Sequence, residues 1–231
     1  MNNQYFEIMR GVLIVAFFFL YQLSAVAQYE GSASASLGMG HGYTALSQSV
    51  MSNAFKNSGK SINKAANADY LYLGFSHFRG FEELLFNKVL AANGNIDKGK
   101  LRSFLTGTRT MYHFDSRAQA LGLKSNYLSD ILAIGMAWNW EMYHQVPAEK
   151  GKVISLRNSI RSNMAKNEVQ SKLKKMSEED RRNWILSFMY NNSMLAQQIK
   201  QSGKTSALHK EQLIKTAALA GVPDIAKVSL R

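Results

Sequence analysis

The chain has 231 residues, no cysteine and a formal net charge of +12, with 28 Lys and Arg against 16 Asp and Glu. Without cysteine it forms no disulfide framework, no thiolate zinc site, no iron–sulfur cluster and no cysteine nucleophile. Because 46% of the residues are hydrophobic and 19% are charged, the composition also excludes a charge-rich disordered chain and a multi-span membrane protein. These values leave a basic globular protein with one or at most two domains.

Residues 1–27 have the pattern of a secretory signal peptide. A polar start precedes an apolar run from Gly11 to Leu23, which is shorter than the roughly 20 residues of an ordinary membrane span. Ala25 and Ala27 supply the small residues expected before a cleavage site that follows Ala27. The pattern predicts a periplasmic or secreted protein with no transmembrane segment after cleavage. The alternative is an uncleaved membrane anchor.

Residues 28–67 are rich in Gly, Ser, Ala and Asn, as in the tract GSASASLGMGHG. Such a segment carries too little apolar surface to offset the entropy lost on ordering, so we predict a flexible low-complexity arm. Within it, apolar residues at helical spacing allow a short amphipathic helix over residues 43–55. That helix either docks on the rest of the chain or binds a partner.

From residue 68 onward the apolar residues recur at the spacing of α-helices, and the whole chain has only two prolines. The caps and apolar stripes predict helices over residues 76–93, 97–105, 108–121, 125–145, from Pro147 to Met164, from Ser177 onward, and 206–220. The helix over 125–145 is apolar around much of its circumference, which is typical of a central helix. Residues 68–231 are therefore predicted to form one all-α domain of about seven helices in an orthogonal or bundle-like arrangement.

The basic residues concentrate between Lys150 and Arg182, where ten Lys and Arg stand against four Asp and Glu, a net charge of +6. Three of these cations are predicted to project along one side of their helix, and three lysines follow in a polar hinge. The candidate anion-binding residues are Lys150, Arg157, Arg161, Lys172, Lys174 and Lys175. Such a face favours an anionic envelope component or an acidic protein as partner, and the alternative is a solvated face with no partner. Nucleic acid is disfavoured by the predicted export and by the few aromatic residues among the basic ones.

Two polar residues are predicted to serve the fold. Asp130 lies one turn inside the central helix, where an unpaired carboxylate is costly. It is expected to accept hydrogen bonds from the N–H groups near residues 125–126, or to pair with Arg109 or Arg117; the alternative is exposure to solvent. Ser177 precedes three acidic residues in a pattern similar to a capping box, which predicts a helix start.

Signals for catalysis are weak in this sequence. Glu141 and His144 have the spacing found in di-iron helix bundles, but no second such pair occurs, so no metal or other cofactor is predicted. Motifs for a serine nucleophile or a zinc protease are also absent. The enzyme class that stays open is a muramidase-like hydrolase of the cell wall, with Glu82, Glu83 or Glu141 as the acid in a cleft. A further hypothesis is an interaction protein of the toxin or immunity type.

Three stretches resemble a bacterial family of exported α-helical domains of unknown function. They are Gly122–Asp130 (GLKSNYLSD), Trp138–Tyr143 (WNWEMY) and Met176–Arg181 (MSEEDR). The resemblance covers about residues 70–222, and Tyr127 stands where the family has an acidic residue. It implies an exported helical domain and no particular activity, cofactor or partner. The sequence thus favours a non-enzymatic binding protein with a basic face, with the wall hydrolase as the alternative.

Overall fold

The computed structural model describes residues 41–56, 67–92 and 95–231. The helices in these ranges are α1 (His41–Met51), α2 (Phe75–Ala92), α3 (Lys98–Gly107), α4 (Thr110–Leu121), α5 (Leu128–His144), α6 (Lys150–Met164), α7 (Asn167–Lys175), α8 (Glu178–Ser202) and α9 (Ala207–Leu219). Two 3-10 turns, Asn67–Asp69 and Ile225–Lys227, and one isolated antiparallel bridge between Tyr70 and Tyr127 complete the described elements. The all-α prediction is confirmed. The predicted signal peptide, with Ala25 and Ala27, lies outside the described residues, as does most of the predicted arm.

Helix α5 is the centre of the bundle, as its composition predicts. Every residue from Leu128 to Trp140 is buried, and α4, α6, α8 and α9 pack around it. Gly135 allows the close approach of α8, because a Cβ at this position would overlap the ring of Phe188. Nowhere in the described ranges is a helix both long enough and apolar enough to span a membrane.

Residues 167–175 form a helix rather than the predicted polar hinge. Val169 and Leu173 lie one turn apart on α7 and are both buried, while Lys172 Nζ lies 2.8 Å from Glu168 Oε1 on the exposed side. A strongly polar segment with only two apolar residues one turn apart gives little periodic signal. Packing of these two side chains against the body, rather than intrinsic propensity, accounts for the helix.

Helix α1 packs on α6, α7 and α9, which is the docking alternative considered for the amphipathic segment. Val50 and Met51 are buried in this contact. The side-chain amide of Asn163 donates hydrogen bonds to Val50 O and Ser52 O, both at 2.9 Å. At the other side of α1, Gly221 has a φ of +91° and lies against the backbone of Ser47. The helical body therefore includes α1.

The first turn of α9 is stabilised by reciprocal hydrogen bonds between Ser206 and His209. Ser206 Oγ accepts from His209 N at 3.1 Å, and His209 Nδ1 accepts from Ser206 N at 3.2 Å. This is the geometry of a capping box, with histidine in the place usually taken by Glu or Gln. Burial lowers the pKa of His209, because the protein interior solvates the charged ring poorly, and a protonated Nδ1 cannot accept the bond from Ser206.

We expect mild acidification to lower the stability of the folded protein, because protonation of His209 removes the contribution of this cap. Because the pKa of His209 is lower in the folded chain than its ordinary 6.5, the unfolded chain binds the proton first as the pH falls. The contribution to stability is therefore complete above about pH 6.5 and is lost below it. His209→Gln retains a capping side chain that does not titrate, so its melting temperature should fall less than that of the wild type between about pH 7.5 and about pH 5.5. Equal falls in thermal melts of the two proteins would contradict this assignment.

Candidate functional site

The six cations predicted to form one anion-binding face do not share a surface, so that prediction is corrected. Lys150, Arg157 and Arg161 do project from the same side of α6, but this side faces the end of α4 and the start of α5. Lys150 Nζ donates to Ala120 O at 3.0 Å. Arg161 is only 7% exposed, and Arg157 is largely buried as well. The sequence spacing correctly predicts that these three residues lie on one side of α6. Whether that side faces solvent or the protein depends on how α6 packs.

Arg157 and Arg161 belong to a buried charge cluster with Asp69 and Asp130. Arg161 Nη2 lies 2.8 Å from Asp130 Oδ1, and Arg161 Nε lies 3.3 Å from Asp69 Oδ2. Arg157 Nη1 lies 3.6 Å from Asp130 Oδ1. Burial raises the pKa of Asp69, although hydrogen bonds from Ser129 N and Ser129 Oγ, both 2.7 Å long, oppose this shift. Two cations and two carboxylates balance each other here, so the cluster offers no free charge to an external anion.

Asp130 is buried, as expected if it is paired, but Arg109 and Arg117 are not its partners. Its Oδ2 accepts a hydrogen bond from Lys124 N at 2.9 Å, close to the predicted position, and its Oδ1 pairs with Arg161. Arg117 Nη1 instead lies 2.7 Å from Glu141 Oε2 on α5. The predicted pairing failed because α6, rather than the preceding α4, packs most extensively on α5, and its last turn, which carries Arg161, lies at the start of that helix.

The remaining predicted polar residues lie at the surface. Lys172 pairs with Glu168, whereas Lys174 and Lys175 are exposed at the end of α7 and form no ion pair within the described part of the chain. Ser177 Oγ accepts a hydrogen bond from Asp180 N at 3.0 Å, which is the helix-start contact that the sequence predicts. The lysines therefore form a small exposed group rather than part of a six-residue face.

Glu141 and His144 have structural contacts. Besides its pair with Arg117, Glu141 accepts a hydrogen bond from Ala148 N at 3.2 Å. The ring of His144 lies 4.6 Å from that of Trp140, centroid to centroid. Across residues 41–56, 67–92 and 95–231, no three His, Cys, Asp or Glu side chains are placed to hold a metal ion.

Glu82 and Glu83 line a small open pocket between α2 and α3. Its volume is about 90 Å³, and its lining comprises Arg79, Glu82, Glu83, Phe86, Arg102, Leu105 and Thr106. Arg102 binds Glu83 through both of its Nη atoms: Nη1 donates to Oε1, and Nη2 donates to Oε2 at 3.3 Å. Burial raises the pKa of Glu82, and the charge of Arg79 opposes this shift. The pocket therefore combines two arginines, one carboxylate bound to an arginine and one carboxylate that is partly desolvated.

The two arginines that line this pocket, and Arg109 in the turn that follows α3, each lie over an aromatic ring. The Cζ atom is 6.0 Å from the ring centroid for Arg79 and Phe75, 4.3 Å for Arg102 and Phe86, and 4.6 Å for Arg109 and Tyr112. Two of these rings are well exposed, Phe75 at 66% and Tyr112 at 55%. Arg109 follows the lining residue Thr106 in the turn from α3 to α4 and donates its backbone N–H to Thr106 O. We call these six residues the arginine–aromatic surface: Phe75, Arg79, Phe86, Arg102, Arg109 and Tyr112.

Arg109 also has an unusual backbone conformation. Its φ of 45° and ψ of 41° lie in the left-handed region, which costs a residue with a side chain about 1–2 kcal/mol. It precedes α4 without capping that helix through its side chain. Strained positions of this kind cluster at functional sites, and this one carries a guanidinium that lies over the ring of Tyr112.

Sequence reasoning did not find this surface. Arg79, Arg102 and Arg109 lie on three different elements and form no basic run. The sequence shows only the spacing within two of the arginine–ring pairs: Phe75 and Arg79 are one helical turn apart, and Arg109 lies three residues before Tyr112. That spacing recurs in many helices and carries no information on which pairs meet in space.

Comparison with protein-family models, with curated proteins and with solved structures gave no match for this chain. The resemblance to an exported helical family therefore stays a prediction from three short stretches. Any functional assignment depends on the arrangement of the side chains themselves.

Proposed function

We propose that this protein works outside the cytoplasm, in the periplasm or after secretion, as a non-enzymatic binding protein. Its arginine–aromatic surface would bind an acidic segment of a partner protein. The observation that carries this proposal is that three arginine–ring pairs occur on α2, α3 and the start of α4, with two of the arginines lining one pocket between α2 and α3. The signal-peptide pattern of residues 1–27 supports the location.

The chemistry of the surface fits a carboxylate-rich peptide. A guanidinium group binds a carboxylate through two parallel hydrogen bonds, and its planar form is well suited to stacking on a ring. Arginine and tyrosine are enriched among the residues that dominate protein interfaces. Because each ring restricts its guanidinium before binding, less side-chain entropy is lost on association. The net charge of +12 also attracts an acidic partner over a longer range.

Glu82 favours a second candidate function, the wall hydrolase, because a raised pKa is what a general acid requires. Two features weigh against it. The pocket volume of about 90 Å³ is well below the roughly 300–1,000 Å³ of ordinary ligand sites. The neighbouring carboxylate, Glu83, is bound to Arg102 and is poorly placed to act as base or nucleophile. Release of reducing sugars from purified wall by the wild type, lost in Glu82→Gln, would establish the hydrolase instead.

The proposal is tested with two variants that remove the same amount of charge. One carries Arg79→Gln, Arg102→Gln and Arg109→Gln; the other carries Lys172→Gln, Lys174→Gln and Lys175→Gln on α7. We expect a fluorescent aspartate-rich peptide to bind the wild type at low salt and to bind the arginine variant at least tenfold more weakly. The lysine variant should stay within about twofold of the wild type. Fluorescence anisotropy gives the affinities, and circular dichroism checks the fold of each variant.

Each of the other outcomes identifies a different binding mode. Equal losses in the two variants would show that net charge alone attracts the peptide. A larger loss in the lysine variant would assign binding to the end of α7. Tighter binding to anionic vesicles or to purified anionic wall polymer than to the peptide would overturn the choice of partner.

A further inference from the structure

We infer that His113 is an additional anion-binding residue, which becomes a third cation beside Arg109 and Arg117 when an acidic ligand binds, so that binding is tighter at mildly acidic pH. The inference rests on the proposed function, because it concerns the side of the arginine–aromatic surface that continues along α4. It adds a residue and a pH dependence to that function.

Arg109, His113 and Arg117 follow one another at intervals of four residues, from the residue that precedes α4 into that helix. His113 N donates to Arg109 O at 3.0 Å, and Arg117 lies one turn further on. We call these three residues the α4 row. Trp138 of α5 contacts two of them: its ring centroid lies 5.6 Å from that of His113 and 4.5 Å from Arg117 Cζ. Tyr112 contacts His113 from the outer side, with ring centroids 5.6 Å apart. His113 is partly exposed, and no described residue forms a hydrogen bond with its ring nitrogens.

The charged groups around His113 are mostly positive. Arg109 just before α4 and Arg117 on α4 flank it in sequence, and the positive charge of Lys200 on α8 also acts on it. From α5 the nearby acid is Glu141, which is bound to Arg117 at 2.7 Å. Lys150 of α6 reaches only the end of α4, where it binds Ala120 O. Burial and these three cations lower the pKa of His113, so the ring is neutral at neutral pH in the unbound protein.

A carboxylate bound at this row reverses the effect of the cations. It partly neutralises Arg109, Arg117 and Lys200 and attracts a proton to the imidazole, so the pKa of His113 is higher in the complex than in the free protein. Binding therefore takes up a proton, and by linkage the affinity rises as the pH falls, by at most tenfold per pH unit for one proton. Aspartate, with an ordinary pKa of about 3.9, stays ionised throughout this range, so the ligand itself contributes no pH dependence above about pH 6.

The test measures binding of the same aspartate-rich peptide at about pH 7.5 and about pH 6.0, at constant ionic strength. We expect the wild type to bind roughly three- to fivefold more tightly at the lower pH. His113→Gln should bind with equal affinity at both values, and His113→Lys should bind at the higher pH as tightly as the wild type does at the lower. His209→Gln, which changes a histidine away from this row, serves as the matched control and should retain the wild-type dependence.

A full pH dependence in His113→Gln, or none in a wild type that binds the peptide, would overturn the assignment of His113 while leaving the proposed function in place. Loss of the dependence in His209→Gln would assign the proton to the cap of α9 instead. Absence of peptide binding by the wild type at both pH values would overturn the proposed function and this inference with it.

Discussion

Replacing Arg161 with methionine should lower the free energy of unfolding by about 3–5 kcal/mol. Methionine fills much of the volume of the side chain, but it leaves Asp69 and Asp130 buried without their shared cation. Breaking a buried ion pair from one side is costly because the other charge stays desolvated. Urea denaturation followed by circular dichroism at about pH 7.5 measures the change.

Lys150→Met is the matched control on the same face of α6. Lys150 is exposed and contributes one hydrogen bond to Ala120 O, so its loss should change the free energy of unfolding by less than about 1 kcal/mol. Asp130→Ala should lower the free energy of unfolding by about 3 kcal/mol, because it leaves Arg157 without its carboxylate and removes one of the two carboxylates that bind Arg161. Similar, small effects in all three variants would mean that the cluster is solvated and contributes little to the fold.

Gly221→Ala should release α1 from the body and lower the free energy of unfolding by about 2–4 kcal/mol. The φ of +91° is unfavourable for alanine, and the new Cβ would overlap Ser47 O and approach the backbone N of Gln48. These atoms belong to the helix backbone and cannot rotate away, so α1 has to move. Hydrogen exchange of the amides of residues 45–51 should accelerate far more than exchange in α5.

The control for the backbone conformation is Gly203→Ala. Gly203 has a similar φ of +71°, but no atom lies within 4 Å of the position of its Cβ. Its replacement should cost only the conformational strain, about 1 kcal/mol, and should leave exchange in α1 unchanged. If both substitutions had the same effect, the contact between Gly221 and α1 would have no energetic importance.

Most of the fold can be predicted from the sequence, because most of its helices have periodic apolar faces and recognisable caps. Asp97 and Ser177 accept hydrogen bonds from the backbone at the predicted helix starts. Two of the exceptions have local physical causes. α7 has only two buried side chains, and α4 begins at Thr110, two residues later than predicted, because Arg109 takes a left-handed conformation.

The candidate site is harder to predict from the sequence, because it depends on contacts between distant parts of the chain. Arg157 and Arg161 have the spacing of a solvated stripe, and only the packing of α6 against α5 directs them inward. Asp69 precedes an extended segment and follows a low-complexity tract, so no sequence signal marked it as buried. The arginine–aromatic surface likewise forms only when α2, α3 and α4 are assembled.

The buried charge cluster also has a consequence for folding kinetics. Asp69 and Ser129 are 60 residues apart, and Arg161 and Asp130 are 31 apart, so these contacts require long loops to close and form after the local helices. Interactions that are absent from the transition state affect the unfolding rate rather than the folding rate. We therefore expect Arg161→Met to refold at nearly the wild-type rate and to unfold much faster. The cluster would then determine how long a folded molecule stays folded.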